Sequence, residues 1–576
     1  MKRSTLIFIL ILFAGVLTAD SISSFRSLST GGILPDNLDL AMDPIELNYL
    51  SGTNVFTNLS NLSRNDHLFA NDARNHLMLG VSSDKFLSQK LKLALIYDFY
   101  DKEYPDLVTI GSIMGNTYDG LGLLEREELL YQDHDNDGIF DSYMFAEQMA
   151  ENTESESGND LRMILGFDIS ESLKTGLKLR FTQYDRESTE GSDGSHSYRN
   201  YITSGYLLED GLTLDAPYTT TTEIGKFGSK IKQDDVFAEF AAAKSFARSD
   251  LRASIFVQKI SSELKRIEHT ELIIWRDEPI YLPFCNLDSE TFQISNDGYA
   301  SGLGLAYRKQ LTRAAERKDE GFIKIQGRID LLNLDAIIRE ESTSIDSSST
   351  HPYMPDLERN EVRYLTEEDN DVSGYDFSGS VSMVQPLNRR TYFGIGMQLS
   401  HQQITEEGKH TFSFFYEDYE ANYQAETWNI FRQTHLKVRD TDHKYVNTEL
   451  RVPTGIEHWF SDAKRFAIRF GSVFTQTSET RKNRYIPSDI QRICDMTYNS
   501  TMDEPEYYYH PDYESHVTDI ETVTQKSSRT QFSYGLGFRP SKNMQIDLMG
   551  FFDYPCTELL TTDFFRNLRL SFSIRL

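Results

Sequence analysis

Hydrophobic and polar residues alternate at a period of two over many stretches of the chain, the pattern of strands with one apolar and one wet face. In KLKLALIYDFY, Leu91, Leu93, Leu95, Tyr97 and Phe99 share one face, and Lys92, Ala94, Ile96 and Asp98 share the other. LKLRFTQY repeats it, with Leu177, Leu179 and Phe181 against Lys178, Arg180 and Thr182. Further on, Phe532, Tyr534, Leu536 and Phe538 oppose Ser533, Gly535, Gly537 and Arg539. Similar segments fall at 234–247, 250–263, 298–308, 321–333, 378–386, 391–402, 410–419, 444–456, 464–476, 543–552 and 565–576, with weaker ones near 199–208, 211–218 and 433–439. A further strand is sought upstream, in Asn48 to Phe56.

The connections fall into two classes. Short ones include Ser170-Glu171-Ser172, Ser249-Asp250, Pro386-Leu387-Asn388-Arg389, Ser461-Asp462-Ala463 and Pro540-Ser541-Lys542. Long polar ones are expected at 101–159, 265–296, 335–374 and 478–527. In the second half of the chain the two classes alternate, as short periplasmic turns and long extracellular loops do in membrane barrels. The last segment, FFRNLRLSFSIRL, places Leu568, Leu570, Phe572, Ile574 and Leu576 on one face and Arg569, Ser571, Ser573 and Arg575 on the other.

The repeated alternation, the unequal loops and this terminal strand together resemble the bacterial outer-membrane β-barrel class, porin-like in pattern, over residues 75–576. The usual terminal aromatic of that class is here Leu576. The resemblance implies an all-β fold: a large antiparallel transmembrane barrel of 16–18 strands with long acidic extracellular loops. It also implies outer-membrane lipid and the barrel-insertion machinery as partners, and the cell outer membrane of a diderm bacterium as the location.

The N-terminus supports export. Lys2-Arg3, the apolar run Leu6 to Ala14 and the small residue Ala19 follow the order of a signal peptide, expected at residues 1–19. Residues 20–74 lack long alternation; an N-terminal plug, an extension and a first strand are the readings open for them. No later segment is a helical span, so entry into lipid requires a closed sheet.

Composition narrows the function. Tyr 31 and Phe 36 are numerous, yet mean hydropathy is −0.47, as many two-faced strands would give. The net charge of −30 argues against nucleic acid as a partner. Cys285, Cys494 and Cys556 permit at most one internal pair. No HExxH, CxxC, GxSxG or phosphate-binding loop occurs, so no enzyme is expected. The face assigned inward carries Lys178, Arg180, Lys324, Arg328, Arg469, Arg569 and Arg575 with Asp98, Asp168, Asp330 and Asp547. Such charges would either line a wet channel or brace one another across a closed interior. The glycines at 394, 396, 535 and 537 on or near that face would leave room for bulky neighbours or permit curvature. Trp275, Trp428, Trp459 and Tyr507-Tyr508-Tyr509 are candidates for interfacial belts or loop packing.

The most localised chemistry is Asp133-His134-Asp135-Asn136-Asp137-Gly138-Ile139-Phe140-Asp141. Asp133, Asp135, Asp137, the Ile139 carbonyl and Asp141 have the spacing of a calcium loop, with Gly138 at the turn. The sequence resembles EF-hand, dockerin and thrombospondin type 3 loops. It departs from them at the twelfth position, where Met144 replaces the bidentate carboxylate and Glu147 is the nearest substitute. A structural Ca2+ is the only cofactor expected.

The functional expectation is an outer-membrane channel for passive or weakly selective passage of small hydrophilic solutes. The alternative is a non-transport structural or binding barrel acting through its extracellular loops. Oligomeric state is left open.

Overall fold

The computed structural model describes residues 24–576 apart from 61–74, 89, 106, 112–116, 134–139, 191–196, 208–213, 277–283, 313–318, 350–355, 423–424, 462, 511–517 and 555–568. The expected signal peptide and Cys556 therefore lie outside the described residues.

A 16-stranded antiparallel wall closes on itself. Its first half comprises β1 (Asn54–Ser60), β2 (Asn75–Ser88), β3 (Leu91–Pro105), β4 (Thr153–Asp168), β5 (Leu173–Ser188), β6 (Leu214–Ser245), β7 (Ser249–Arg276) and β8 (Phe284–Thr312). The second half comprises β9 (Gly321–Ser349), β10 (Asp356–Pro386), β11 (Thr391–Asn422), β12 (Thr427–Trp459), β13 (Phe466–Asn499), β14 (Asp519–Ser541), β15 (Met544–Tyr554) and β16 (Arg569–Arg575). Closure is made by β16 on β1, with Leu570 opposite Leu59 and Arg575 opposite Asn54. Every edge of the wall is thereby paired, as a sheet in lipid requires.

The alternation read from the sequence fixes which side chains face out. In β3, Leu95 and Tyr97 are exposed while Ala94 and Ile96 are buried. On neighbouring strands the outward apolar residues fall in register: Ile255 (55 % exposed) lies opposite Leu303 (58 % exposed), and Leu303 lies opposite Ile329. Ile325, Val381 and Met397 continue the belt around β9, β10 and β11. The belt hugs the end bearing the short turns, so that end is periplasmic.

The long loops expected at 265–296, 335–374 and 478–527 are corrected. Most of each is paired strand: β6 to β13 run for 28–34 residues, where about 9–11 suffice to cross a bilayer. Beyond the belt the outward face turns polar, and the inner face mixes buried polar groups with apolar clusters such as Leu264, Phe292, Ile294 and Ile338, so the regular hydrophobic alternation that marks a strand weakens while the ladder continues. The wall thus rises well above the membrane. Further strands decorate the upper rim: Leu123–Gln132, Ser142–Glu151 and Ser197–Leu207 form a sheet joined to β6, Leu107–Gly111 pairs Thr117–Leu121, and Glu506–His510 pairs β13.

Candidate functional site in the barrel interior

Residues 24–50 lie inside the wall and touch it on opposite sides. They form two short helices, α1 (Phe25–Leu28) and α2 (Asn37–Met42), and a 3₁₀ turn, Glu46–Tyr49. Local chemistry holds this compact: Asp36 and Asp39 make a capping box on α2. The Ser24 amide and hydroxyl donate to Asp39 at 2.9 and 2.6 Å, tying α1 to α2. Burial pushes the Asp39 carboxyl up to about 6, although these donors favour its charged form.

Apolar side chains seat the segment. Leu38, Leu40, Ala41, Met42, Leu47 and Leu50 pack on Phe56, Met78, Ala94, Ile96 and Ile164 of the wall. Ile33 and Leu34 pack on Phe322, Val384, Tyr392, Trp459 and Ala467 on the far side. Close approach is permitted by inward glycines. A β-carbon at Gly394 would overlap Ile33, at Gly455 Thr30, at Gly471 Gly31, at Gly176 Pro44, and at Gly535 Ser29. The glycines noted at 394, 396 and 535 therefore serve clearance for residues 29–33, and Gly537 clears the Arg469 guanidinium.

Buried charge locks the segment in place. Arg26 is fully buried, and its Nη2 lies 2.7 Å from Glu457 Oε2 and 3.2 Å from Asp319 Oδ1. Its Nη1 donates to the Pro35 carbonyl at 2.9 Å. Glu457 also accepts from Arg469 Nε at 2.8 Å, and Arg469 Nη1 reaches Asp547 at 2.6 Å. Gln545 links Asp547 back to Asp36 of the segment at 2.7 and 3.0 Å. Burial works against the Arg26 charge, but Glu457 and Asp319 outweigh it and hold the guanidinium above its ordinary range. On the opposite wall Asp43 pairs with Arg252, Glu46 stands 3.6 Å from Arg308, and Lys92 donates to the Asn48 and Leu50 carbonyls at 2.6 and 2.7 Å.

Of the two readings open for the inward charges, bracing predominates where pairs can be seen. Arg162 and Arg180 both clamp Asp160 at 2.7 and 2.9 Å, and Arg328 pairs with Asp330 at 2.7 Å. A polar cavity of about 520 Å³ remains between the segment and the wall, lined by Asp39, Asp43, Lys178, Glu239, Arg252, Lys324, Gln326, Arg328 and Gln398.

Arg26, Asp319 and Glu457 had not been singled out from the sequence. Their one signal was indirect: the inward glycines of β11 and β14 required something to fill the space beside them. Of the calcium-loop residues, Asp133 and Asp141 flank the base of a hairpin in which Gln132 lies opposite Ser142, and the Asp141 amide donates to the Gln132 carbonyl at 2.8 Å. Asp135, Asp137 and Ile139 lie outside the described residues. Cys285 and Cys494 are free thiols. Trp459 is buried against the N-terminal segment, whereas Tyr507, Tyr508 and Tyr509 are exposed near the rim.

No family model and no curated protein matches the chain. Among solved structures it is similar to the outer-membrane transporter YddB from Escherichia coli, at 7% identity over 91% of this chain and 81% of that one, with a TM-score of 0.26. It is also similar to the siderophore receptor PirA from Acinetobacter baumannii (8% identity, 92% and 81% covered, TM-score 0.24). A third is the ferric-catecholate import receptor Fiu from E. coli K12 (10% identity, 92% and 82% covered, TM-score 0.25).

The passive or weakly selective channel expected from the sequence is corrected. The interior is spanned by residues 24–50, which buried ion pairs and apolar contacts hold against opposite sides of the wall, leaving only a cavity beside them. The expectation followed a rule of strand number, by which barrels of this size leave an aqueous channel. That rule does not register a folded segment supplied by the chain itself. The protein is a large β-barrel of the bacterial outer membrane, embedded in its lipid.

Proposed function

We propose that the protein is a gated, substrate-selective receptor that imports a hydrophilic ligand across the outer membrane, with residues 24–50 as its plug. One observation carries this reading: Arg26, from near the start of the chain, is buried in the lumen between Glu457 and Asp319. An open pore has no use for such an anchor, whereas a gate needs one that is stable at rest and can be displaced as a unit. The polar cavity against the segment gives a ligand a place to meet both wall and plug. Dislodging a charge from a buried pair costs about 3–5 kcal/mol, so opening requires work from ligand binding or from a pull on the periplasmic side.

Planar-bilayer conductance tests the proposal. The intact chain is expected to be silent, and a variant lacking residues 24–50, or carrying Arg26→Ala and Asp43→Ala together, to show discrete open steps. Steady conductance of equal size from intact chain and variants would sink the reading.

A further inference from the structure

Above the apolar belt, and away from the plug, the inner face of β10 to β13 gathers a second group of chemistry-bearing side chains. Glu368 lies opposite His410, and Glu406 opposite His443. Glu368 and Glu406 are only 5 % and 7 % exposed. His410 Nε2 stands 3.8 Å from Glu368 Oε1, and His443 Nε2 stands 3.9 Å from Glu368 Oε2. The Tyr485 ring contacts both imidazoles edge-on, with centroids 5.5 and 5.0 Å away, and its hydroxyl donates to Glu368 at 3.4 Å. Among the described residues Glu406 makes no hydrogen bond or ion pair, and the charged group acting on it is Glu368.

A buried carboxylate without a hydrogen-bond partner, set beside a second buried carboxylate, is costly to keep charged, and the cost is relieved by uptake of a proton or by a cation joining it. The basic side chains nearby do not reach Glu406: Arg484 is paired with Asp442 at 3.3 Å, and Arg439 lies opposite His410. We propose that His410, His443, Glu368 and Glu406 form a binding site for one divalent transition-metal ion inside the extracellular part of the barrel. Two imidazoles with two carboxylates suit zinc, nickel, cobalt or copper(II), while calcium and magnesium prefer an all-oxygen set. Among the described residues no three donors yet converge at coordination distance. Donors bound to one tetrahedral ion at about 2.0–2.1 Å stand roughly 3.4 Å apart, so binding would draw the two imidazoles and Glu368 together by about half an ångström.

Calorimetric titration of the full chain in detergent, stripped with EDTA, provides the test, with Zn2+ as probe and Ca2+ as control. An Asp135→Ala background keeps the separate acidic loop out of the count. One Zn2+ per chain is expected, with His443→Ala and Glu406→Gln each weakening it at least 100-fold. Co2+ should give visible absorption bands that the same variants abolish. Heat-modifiable migration in gels reports that each variant is folded; where one is not, the Co2+ spectrum of the parent decides. No Zn2+ bound by the parent, binding by His443→Ala and Glu406→Gln equal to the parent's, or Ca2+ binding as tightly as Zn2+ would each overturn the site. Channel silence or conductance leaves this result unaffected, because the cluster does not touch the plug.

Discussion

Arg26 and Glu457 are joined at 2.7 Å in complete burial although 431 positions separate them in the chain. Glu457 keeps Arg469 as a second partner, so Arg26→Ala leaves its carboxylate half satisfied and its own cavity empty. The expected cost is near the low end for a broken buried pair, about 3 kcal/mol. That cost falls on the seating of residues 24–50, since the wall ladders are untouched. Limited proteolysis should cut the N-terminal segment faster in the variant while the barrel band persists. Equal protection in parent and variant would show that the pair does not hold the segment.

The clearance glycines make a second, independent prediction. Gly394→Leu would drive a side chain into Ile33, whereas Gly327→Ala in β9 meets only the Ser378 carbonyl at 3.8 Å. Overpacking of this kind costs about 1–3 kcal/mol. Gly394→Leu should therefore raise open-channel events in a bilayer and Gly327→Ala should not. If both behave like the parent, the glycines serve curvature instead of clearance.

How much of this could be read in the sequence follows from what each pattern depends on. Leu95, Ile255 and Leu303 face lipid on one side of a strand, so burial imposes a strict alternation and the membrane part was legible. Residues such as Glu263, Ser295 and Glu341 continue the same strands with a polar outward face, while the inner face alternates apolar residues such as Ile294 with polar ones such as Asn296. Pairing there rests mostly on backbone ladders, with apolar residues too scattered on the inner face to give a regular period, and these stretches were read as loops. The segment of residues 24–50 was less legible. The capping box of Asp36 and Asp39 on the helix bearing Leu38, Leu40 and Met42 went unread there, and nothing in one sequence says that Arg26 meets Glu457.

The acidic loop remains a proposal with its own test. Strands Leu123–Gln132 and Ser142–Glu151 close its base and bring Asp133 and Asp141 to the two ends of one short connection, as a cation-clamped turn would need. With affinity in the range of about 10⁻⁴–10⁻³ M, Ca2+ at several millimolar should raise the thermal stability of the parent. Asp135→Ala should lose that gain while keeping its melting temperature in EDTA. A calcium response that survives the substitution would remove the site.

The apolar belt sets a sharp depth limit that substitutions can map. Leu303 on β8 faces outward between Ile255 and Ile329, so Leu303→Arg places a charge in hydrocarbon. Near the bilayer midplane that costs about 2–4 kcal/mol and falls toward zero at the interface. Gln293 lies on the same outward face of β8 ten positions earlier in the chain, above the belt, and Gln293→Arg should cost almost nothing. Urea unfolding in lipid vesicles separates the two. A penalty at Gln293 as large as that at Leu303 would mean that the bilayer reaches the tall rim, and that the metal-site cluster at Glu368 lies within the membrane's thickness and not above it.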